Sequence, residues 1–282
     1  MVARESPPCS SLHDGCDTLR IISLNCNGIR AAARKGFFDW LPDQEADVVC
    51  LQELKAQPDQ LAGEPFQPPG YSAYFHAAEK KGYSGVGIYA RREPDRVIKG
   101  IGWPAFDAEG RLIEARFGDL SVISLYFPSG SSGDARQGVK EGLMADFLEQ
   151  LRAWLQSGRR YIICGDWNIA HREIDLRNHR SNARTSGFLP HEREWLGRVF
   201  EDLGWVDAFR ALYPDREQYT WWSNRGRAWD NNTGWRIDYQ VVTPNLAPAL
   251  RSAWVYTRER FSDHAPLTVD YAIPLPEDGD SA

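Results

Sequence analysis

The 282-residue sequence predicts an α/β fold in which two mixed, largely antiparallel β-sheets face each other with helices on the outside. Three observations carry this expectation. Short apolar runs of strand length recur along most of the chain, and neighbouring runs are joined by turn residues in the manner of hairpins. Helical spacing of apolar residues appears in only a few segments, with no repeat and no heptad pattern.

Strands are expected at about 19–25, 47–52, 71–76, 84–90, 95–100, 111–117, 120–127, 160–166, 236–243, 250–256 and 265–272. The 111–117 and 120–127 runs meet through Gly118-Asp119 and form a hairpin. Phe37, Phe38, Trp40 and Leu41 mark one helix. Leu143, Phe147, Leu148, Leu151, Trp154 and Leu155 give the 3–4 spacing of a second, which Gly158 ends. A third follows Pro190, with Trp195, Leu196, Val199 and Phe200 on one face.

With 42% hydrophobic and 26% charged residues, the chain has the composition of a soluble globular protein with one large core. A single catalytic domain is expected over 18–273, between a polar, aperiodic tail at 1–17 and an acidic tail at 274–282. Arg4 and Glu5 are not followed by an apolar stretch of signal-peptide type, and no long apolar span occurs. The expectation is an intracellular protein that does not engage membranes. Five cysteines is an odd number: Cys26, Cys50 and Cys164 lie in or beside strand runs and read as reduced core residues, while Cys9 and Cys16 fall in the tail.

The formal net charge of −6 excludes a protein that coats nucleic acid by bulk charge. Its distribution is uneven. Arg172, Arg177, Arg180, Arg184, Arg193 and Arg198 stand against four acids, and Arg225, Arg227 and Arg236 lie among Trp221, Trp222, Trp229 and Trp235. A local basic and aromatic face on an acidic body suits a protein that engages phosphates on one side.

The strand ends are the most informative feature. Tyr161-Ile162-Ile163-Cys164 breaks into Gly165-Asp166-Trp167-Asn168, placing a carboxylate and an amide where burial is costly. Strand runs also lead into Asn25, into Gln52-Glu53 and into Tyr126, while Asp238 and Asp263-His264 stand at the start of others. Polar groups gathered at one edge of a sheet are how a ligand site is assembled there.

Asn25, Glu53, Asp166, Asn168 and Asp263 offer oxygen ligands with no His or Cys cluster, which favours a hard cation such as Mg²⁺ or Mn²⁺ over zinc, with Glu53 the first candidate. His264, with Asp263 beside it and Asp238 elsewhere, has the pattern of a histidine oriented by a carboxylate. In a phosphate hydrolase Asp166 would activate water, Asn168 would hold it, and His264 with the metal would neutralise charge on the pentacoordinate phosphorus. Tyr126 is a phosphate donor or a phenolate base. A Gly-x-Ser-x-Gly motif and a phosphate loop are both missing, which disfavours a serine hydrolase or a nucleotide-driven motor.

Six ordered motifs raise specificity well above any one of them. Leu24-Asn25-Cys26-Asn27-Gly28-Ile29-Arg30, Leu51-Gln52-Glu53-Leu54-Lys55, Gly82-Tyr83-Ser84-Gly85-Val86-Gly87, Gly165-Asp166-Trp167-Asn168-Ile169-Ala170-His171, Gly234-Trp235-Arg236-Ile237-Asp238-Tyr239 and Ser262-Asp263-His264-Ala265-Pro266 resemble the signatures of the exonuclease III family of abasic-site (AP) endonucleases. The match runs from about Leu19 to Tyr271.

The resemblance implies a four-layer α/β sandwich of the endonuclease, exonuclease and phosphatase superfamily, with Mg²⁺-dependent incision 5′ to an abasic site and 3′-end trimming in base excision repair. It implies Glu53 as principal metal ligand with Asn25, Asn27 and Asp263 around it, and Asp166, Asn168 and His264 at the same centre. It further implies Tyr126 at the phosphate and His264–Asp238 as a phosphate-binding dyad. Trp221 and Trp235 fall on pocket positions for a flipped-out abasic sugar, and Leu246 does not. Arg30, Lys35 and Tyr83 fall where the family contacts DNA, and Asn182, Arg184 and Arg225 are further candidates on the basic face. The implied partner is double-stranded DNA with abasic sites or damaged 3′ ends, and nothing in the sequence calls for more than a monomer.

The sequence departs from the mammalian-type enzymes after Tyr126, reading Phe127-Pro128-Ser129-Gly130-Ser131-Ser132, a form closer to bacterial members. Thr185 likewise replaces an asparagine near the phosphate. These changes leave open the balance between incision and 3′-exonuclease activity. The competing reading is a metal-dependent phosphatase or phosphodiesterase of the same superfamily with a non-DNA substrate, which would not need the Trp221 and Trp235 pocket.

Overall fold

The computed structural model describes residues 18–276. Cys9, Cys16 and the expected tail at 1–17 lie outside the described residues, as do 277–282. Leu275 still packs on the core and Pro276 is buried, so the chain stays on the folded body past 274, where the acidic tail was expected to begin.

Among the described residues, twelve strands form two six-stranded sheets. The first contains β1 (Leu19–Asn25), β2 (Val48–Gln52), β3 (Ser72–His76), β4 (Val86–Ala90), β11 (Leu250–Val255) and β12 (Leu267–Tyr271), in the order β11-β12-β1-β2-β4-β3. The second contains β5 (Arg96–Lys99), β6 (Leu112–Phe117), β7 (Leu120–Tyr126), β8 (Arg160–Asp166), β9 (Val206–Asp207) and β10 (Asp238–Val242), in the order β5-β6-β7-β8-β10-β9. Eleven of these meet the expected runs, and the hairpin through Gly118 is β6–β7. Two-residue β9 is too short to leave a periodic signal. Strand β4 begins two residues late because Ser84 and Gly85 have positive φ.

The helices are α1 (Ile29–Arg34), α2 (Phe37–Trp40), α3 (Pro104–Asp107), α4 (Asp134–Gln156), α5 (Pro190–Gly197) and α6 (Ala208–Leu212). The aromatics at 37–40, the 143–155 stripe and the segment after Pro190 were legible as helices; six-residue α1, with no side-chain cap at Gly28, was not. Three apolar layers account for the sandwich. Ile21, Cys50, Val122, Ile162 and Cys164 fill the space between the sheets, α1 and α2 cover the first sheet through Phe37 and Leu51, and α4 and α5 cover the second through Phe147, Trp195 and Ile163. Central strands are buried on both faces, which is why they read as continuous apolar runs.

Each sheet has one parallel pair, β1 with β2 and β7 with β8, and both pairs are central. A parallel pair brings two C-terminal ends to the same edge, so Asn25 lies opposite Gln52 and Tyr126 opposite Asp166. Antiparallel β10 and β12 then bring their N-terminal ends to that edge, with Asp238 opposite Asp166 and Leu267 opposite Ser23. Gln240 on β10 donates to the carbonyls of Ile21 and Leu267 at 3.0 and 3.1 Å, tying one sheet to the other below the edge.

The entry to β10 is bolted by buried ions. Arg236 donates to Asp175 Oδ1 and Asp207 Oδ2, each at 2.7 Å, and Arg210 also donates to Asp175. Arg236 is therefore 1% exposed and belongs to the interior, not to the basic face on which the sequence placed it. Burial disfavours the Asp175 charge, yet Arg236 and then Arg210 hold its pKa down at about 2. Its contribution to stability is complete above the ordinary carboxylate range and is lost as pH falls through about 2. Asp175→Asn removes the charge that two buried guanidinium groups share, leaving Arg236 with Asp207 and Arg210 with backbone carbonyls, so it is expected to lower stability at neutral pH by about 1.5–3 kcal/mol in urea denaturation. That deficit should shrink as the pH is lowered.

Candidate active site

Asp166 closes β8 at 1% exposure, and the edge is organised around its two oxygens. Oδ1 accepts the backbone N–H of Asn168 at 2.8 Å. Oδ2 accepts Asn25 Nδ2 at 2.9 Å and Asn168 Nδ2 at 3.1 Å. His264 Nε2 stands 3.9 Å from Oδ2, and its Nδ1 meets Asp238 Oδ2 at 2.9 Å. Asp166, Asp238 and His264 thus present ligand atoms within 4.8 Å of one another, a cluster compact enough to hold an ion.

Burial raises the Asp166 carboxyl to about 7, opposed by His264 and assisted by the charges of Asp238 and Glu53. Burial works against a charged His264, but Asp238, followed by Asp166 and Asp263, carries it up to about 10. The imidazole is therefore a cation across the neutral pH range. Tyr126, facing Asp166 across β7–β8, is pushed well above the usual tyrosine range by burial and then by the charges of Glu53 and Asp166. Its ring carries the Arg111 guanidinium at 4.7 Å, and its carbonyl accepts from Arg111 at 3.0 Å.

Glu53 follows β2, and Asn25 Nδ2 donates to its Oε1 at 2.9 Å, so one amide bridges Glu53 and Asp166. Lys55 Nζ lies 2.7 Å from Glu53 Oε2 and also donates to Asn27 Oδ1. Burial opposes ionisation of Glu53, but Lys55 and then Asn25 keep it below the usual range. Asn27 Nδ2 donates to Asp263 Oδ1 at 2.9 Å, and Trp221 Nε1 donates to Asp263 Oδ2 at 3.2 Å. Asn25, Asn27, Glu53, Tyr126, Asp166, Asn168, Asp238, Asp263 and His264 form one connected network.

Asn27, Glu53, Lys55 and Asn168 all have φ between 43° and 53°. Such left-handed backbone is costly for residues other than glycine and persists where the surroundings over-determine it. Neither this strain nor the role of Lys55 left a sequence signal beyond the motif itself.

Beside His264, Trp221 and Trp235 meet edge to face, with centroids 6.1 Å apart. Both are half-buried and pack against the buried cluster of Ala170, Leu176, Phe188 and Ile237. Ile237 is a neighbour of the two tryptophans that the sequence did not single out, since one isoleucine in a strand run looks like any other. Leu246 is buried between the sheets. Trp222 is also buried, stacked edge to face with Trp229.

Of the residues expected to contact DNA, Arg30, Lys35, Arg184 and Arg225 are exposed, and Tyr83 and Asn182 are half-buried. Arg30 and Lys35 are exposed on and just after α1, and Arg30 donates to the Lys55 carbonyl at 3.3 Å. Tyr83 accepts from Arg111 at 2.9 Å and from Arg136, two cations the sequence left unremarked. Arg184 and Arg225 are exposed on loops, and Asn182 donates to the Asn178 carbonyl at 3.0 Å, shaping the loop that carries Arg184.

This fold and edge define a class, and the chain belongs to it: the Endonuclease/Exonuclease/phosphatase family matches residues 22–264. Within that family it is 42% identical over 255 residues to an exodeoxyribonuclease of Bacillus subtilis (strain 168), covering 88% of this chain and 98% of that one. It is 37% identical over 276 residues to the DNA repair nuclease APEX1 of Danio rerio, covering 95% and 88% of the two chains. Among solved structures it resembles an AP endonuclease from Archaeoglobus fulgidus, with a TM-score of 0.82, 27% identity and coverage of 90% and 99%. A 3′ phosphatase from Neisseria bound to product DNA hairpin is similar at a TM-score of 0.82, 28% identity and the same coverage.

Because Asp238 is the carboxylate that sustains the His264 charge, Asp238→Asn is expected to return His264 from about 10 toward the ordinary histidine range. NMR titration of the imidazole protons reads this directly; an unmoved midpoint would reassign the source of the charge.

Proposed function

We propose that this chain is a metal-dependent DNA repair nuclease that hydrolyses the phosphodiester 5′ to an abasic site and trims 3′ ends. The observation that carries the reading is the junction of the Asp166–Asn168 and His264–Asp238 pairs with the Trp221–Trp235 pair, whose Trp221 ring lies beside His264. The names of the similar proteins, an exodeoxyribonuclease and AP endonucleases, point the same way. The reading takes 18–273 as one catalytic domain, working as a monomer on double-stranded DNA inside the cell. No helix among the described residues is long and apolar enough to cross a membrane.

The donor set fits a hard divalent cation, which we take to be Mg²⁺. Glu53, Asp263, Asn25 and Asn27 supply oxygen, and the Lys55 ammonium already lies against Glu53 and Asn27. These residues would hold the cation, which would supply Lewis-acid polarisation of the phosphate when bound. Asp166 takes the proton of the attacking water, since it is the buried carboxylate poised near neutrality. The Asn168 amide orients that water. His264, as an imidazolium oriented by Asp238, donates to a phosphate oxygen. Tyr126 keeps its phenolic proton and donates as well, leaving the role of base to Asp166.

The tryptophan pair supplies selectivity. An abasic nucleotide has no base to unstack, so rotating it out of the duplex costs less than flipping an intact one, and an aromatic wall excludes nucleotides that retain a base. Arg30, Lys35, Tyr83, Asn182, Arg184 and Arg225 contact the backbone on either side.

Asp166→Asn is expected to lower turnover on a duplex with one abasic-site analogue by about 10²–10⁴-fold while DNA binding survives. Near-native turnover would remove Asp166 from the role of base. Incision should require Mg²⁺ and stop with EDTA, and trimming of an intact recessed 3′ end without incision would restrict the enzyme to its exonuclease activity. Arg184→Ala and Arg225→Ala should each reduce the slope of log affinity against log salt by about 0.9, measured by fluorescence anisotropy.

A further inference from the structure

One buried ion pair is absent from the chemistry above and touches it directly. Lys140 on α4 and Glu192 on α5 are both 0% exposed, with Nζ 2.6 Å from Glu192 Oε1. Lys140 also donates to the backbone carbonyl of Asn168 at 2.9 Å. Buried ion pairs are often no more stabilising than apolar residues of the same volume, so stability alone gives little reason for one between two core helices.

Its contacts supply another reason. Asn168 has φ 53°, so the turn that presents its amide to Asp166 is strained and needs external support. Asn168 Nδ2 reaches Asp166 Oδ2 and the Phe127 carbonyl, while Lys140 holds the same residue from behind through its carbonyl. The second oxygen of Glu192 accepts the N–H groups of Gly187 and Leu189 at 2.6 and 3.0 Å. Gly187 lies between Asn168 and Trp235, where an added Cβ would come 3.0 Å from the Asn168 carbonyl oxygen and 3.3 Å from the Trp235 ring. Gln137 completes the frame, donating to Glu192 at 3.2 Å and accepting from Ser186 at 2.7 Å.

We propose that Lys140, clamped by Glu192, is a positioning residue for the hydrolysis: its ammonium holds the Asn168 carbonyl and so sets the amide over Asp166. The proposal rests on the reading of Asn168 as the group that orients the attacking water. Lys140 never touches substrate.

The test uses the full chain with Mg²⁺ and an abasic-site duplex, reading kcat, KM and melting temperature for K140M/E192Q, Asn168→Ala and their combination. K140M/E192Q removes both charges, while the amide oxygen that replaces the Glu192 carboxylate can still accept from Gly187 and Leu189. Its kcat is expected to fall by about tenfold or more, as for other outer supports of a catalytic group, with KM and melting temperature near native. Adding Asn168→Ala should cost much less in that background than in the native one, a coupling that purely structural support would not produce. If K140M/E192Q does not fold, Glu192→Gln alone serves, with an expected loss in kcat of about threefold or more at native melting temperature. Native turnover in whichever variant folds, or effects that simply multiply with Asn168→Ala, would overturn the proposal. Native turnover in Asn168→Ala itself would overturn the reading of Asn168 and the proposal with it, whereas an impaired Asn168→Ala beside a fully active K140M/E192Q would sink the proposal alone.

Discussion

The structure is arranged around the requirement that the Asp166 carboxylate, buried at the end of β8, be solvated by protein instead of water. Leaving such a group unpaired costs several kcal/mol, and two distant parts of the chain meet the cost together with the turn that follows Asp166. Asn25 comes from the end of β1, Asn168 from the turn beyond β8, and His264 from the approach to β12. The compensation is incomplete, and burial leaves Asp166 near neutrality, the range that its proposed role as a base calls for.

The topology makes that convergence possible. With the parallel pairs β1–β2 and β7–β8 central in their sheets and the sheets packed face to face, four C-terminal strand ends reach one edge. Behind the edge the same device recurs: charges buried in pairs fix segments that have no regular hydrogen-bond ladder. Arg236 with Asp175 and Asp207 holds the start of β10, and Lys140 with Glu192 holds the turn after β8. Rigid support of this kind is what an active site needs to keep donors aimed without reorganising during the reaction.

The strands were legible because they are buried on both faces and read as apolar runs, and the site was legible because polar residues interrupt those runs at their ends. The buried supports were not. Lys140 continues the α4 stripe four residues before Met144, so the helical spacing does place it inward, but a lysine is ordinarily read as solvent-facing. Arg236 was misread for the same reason, as one more arginine in a basic, tryptophan-rich stretch. Charge type predicts exposure only until a partner of opposite sign is brought alongside, and the partners here are distant in sequence: Asp175 for Arg236 and Glu192 for Lys140.

The sequence by itself determined the strands, the helical stripes, the residue types at the strand ends and, through six ordered motifs, the family to which the chain belongs. Those are properties of local order, where spacing and side-chain chemistry suffice. Only the tertiary structure decided which carboxylates gather around Asp166, that Asp238 raises His264, that Trp221 and Trp235 pack with Ile237, and which charges are struts inside the protein. Each of these depends on distances between residues far apart in the chain, and the energy of a charge is set by what packs around it.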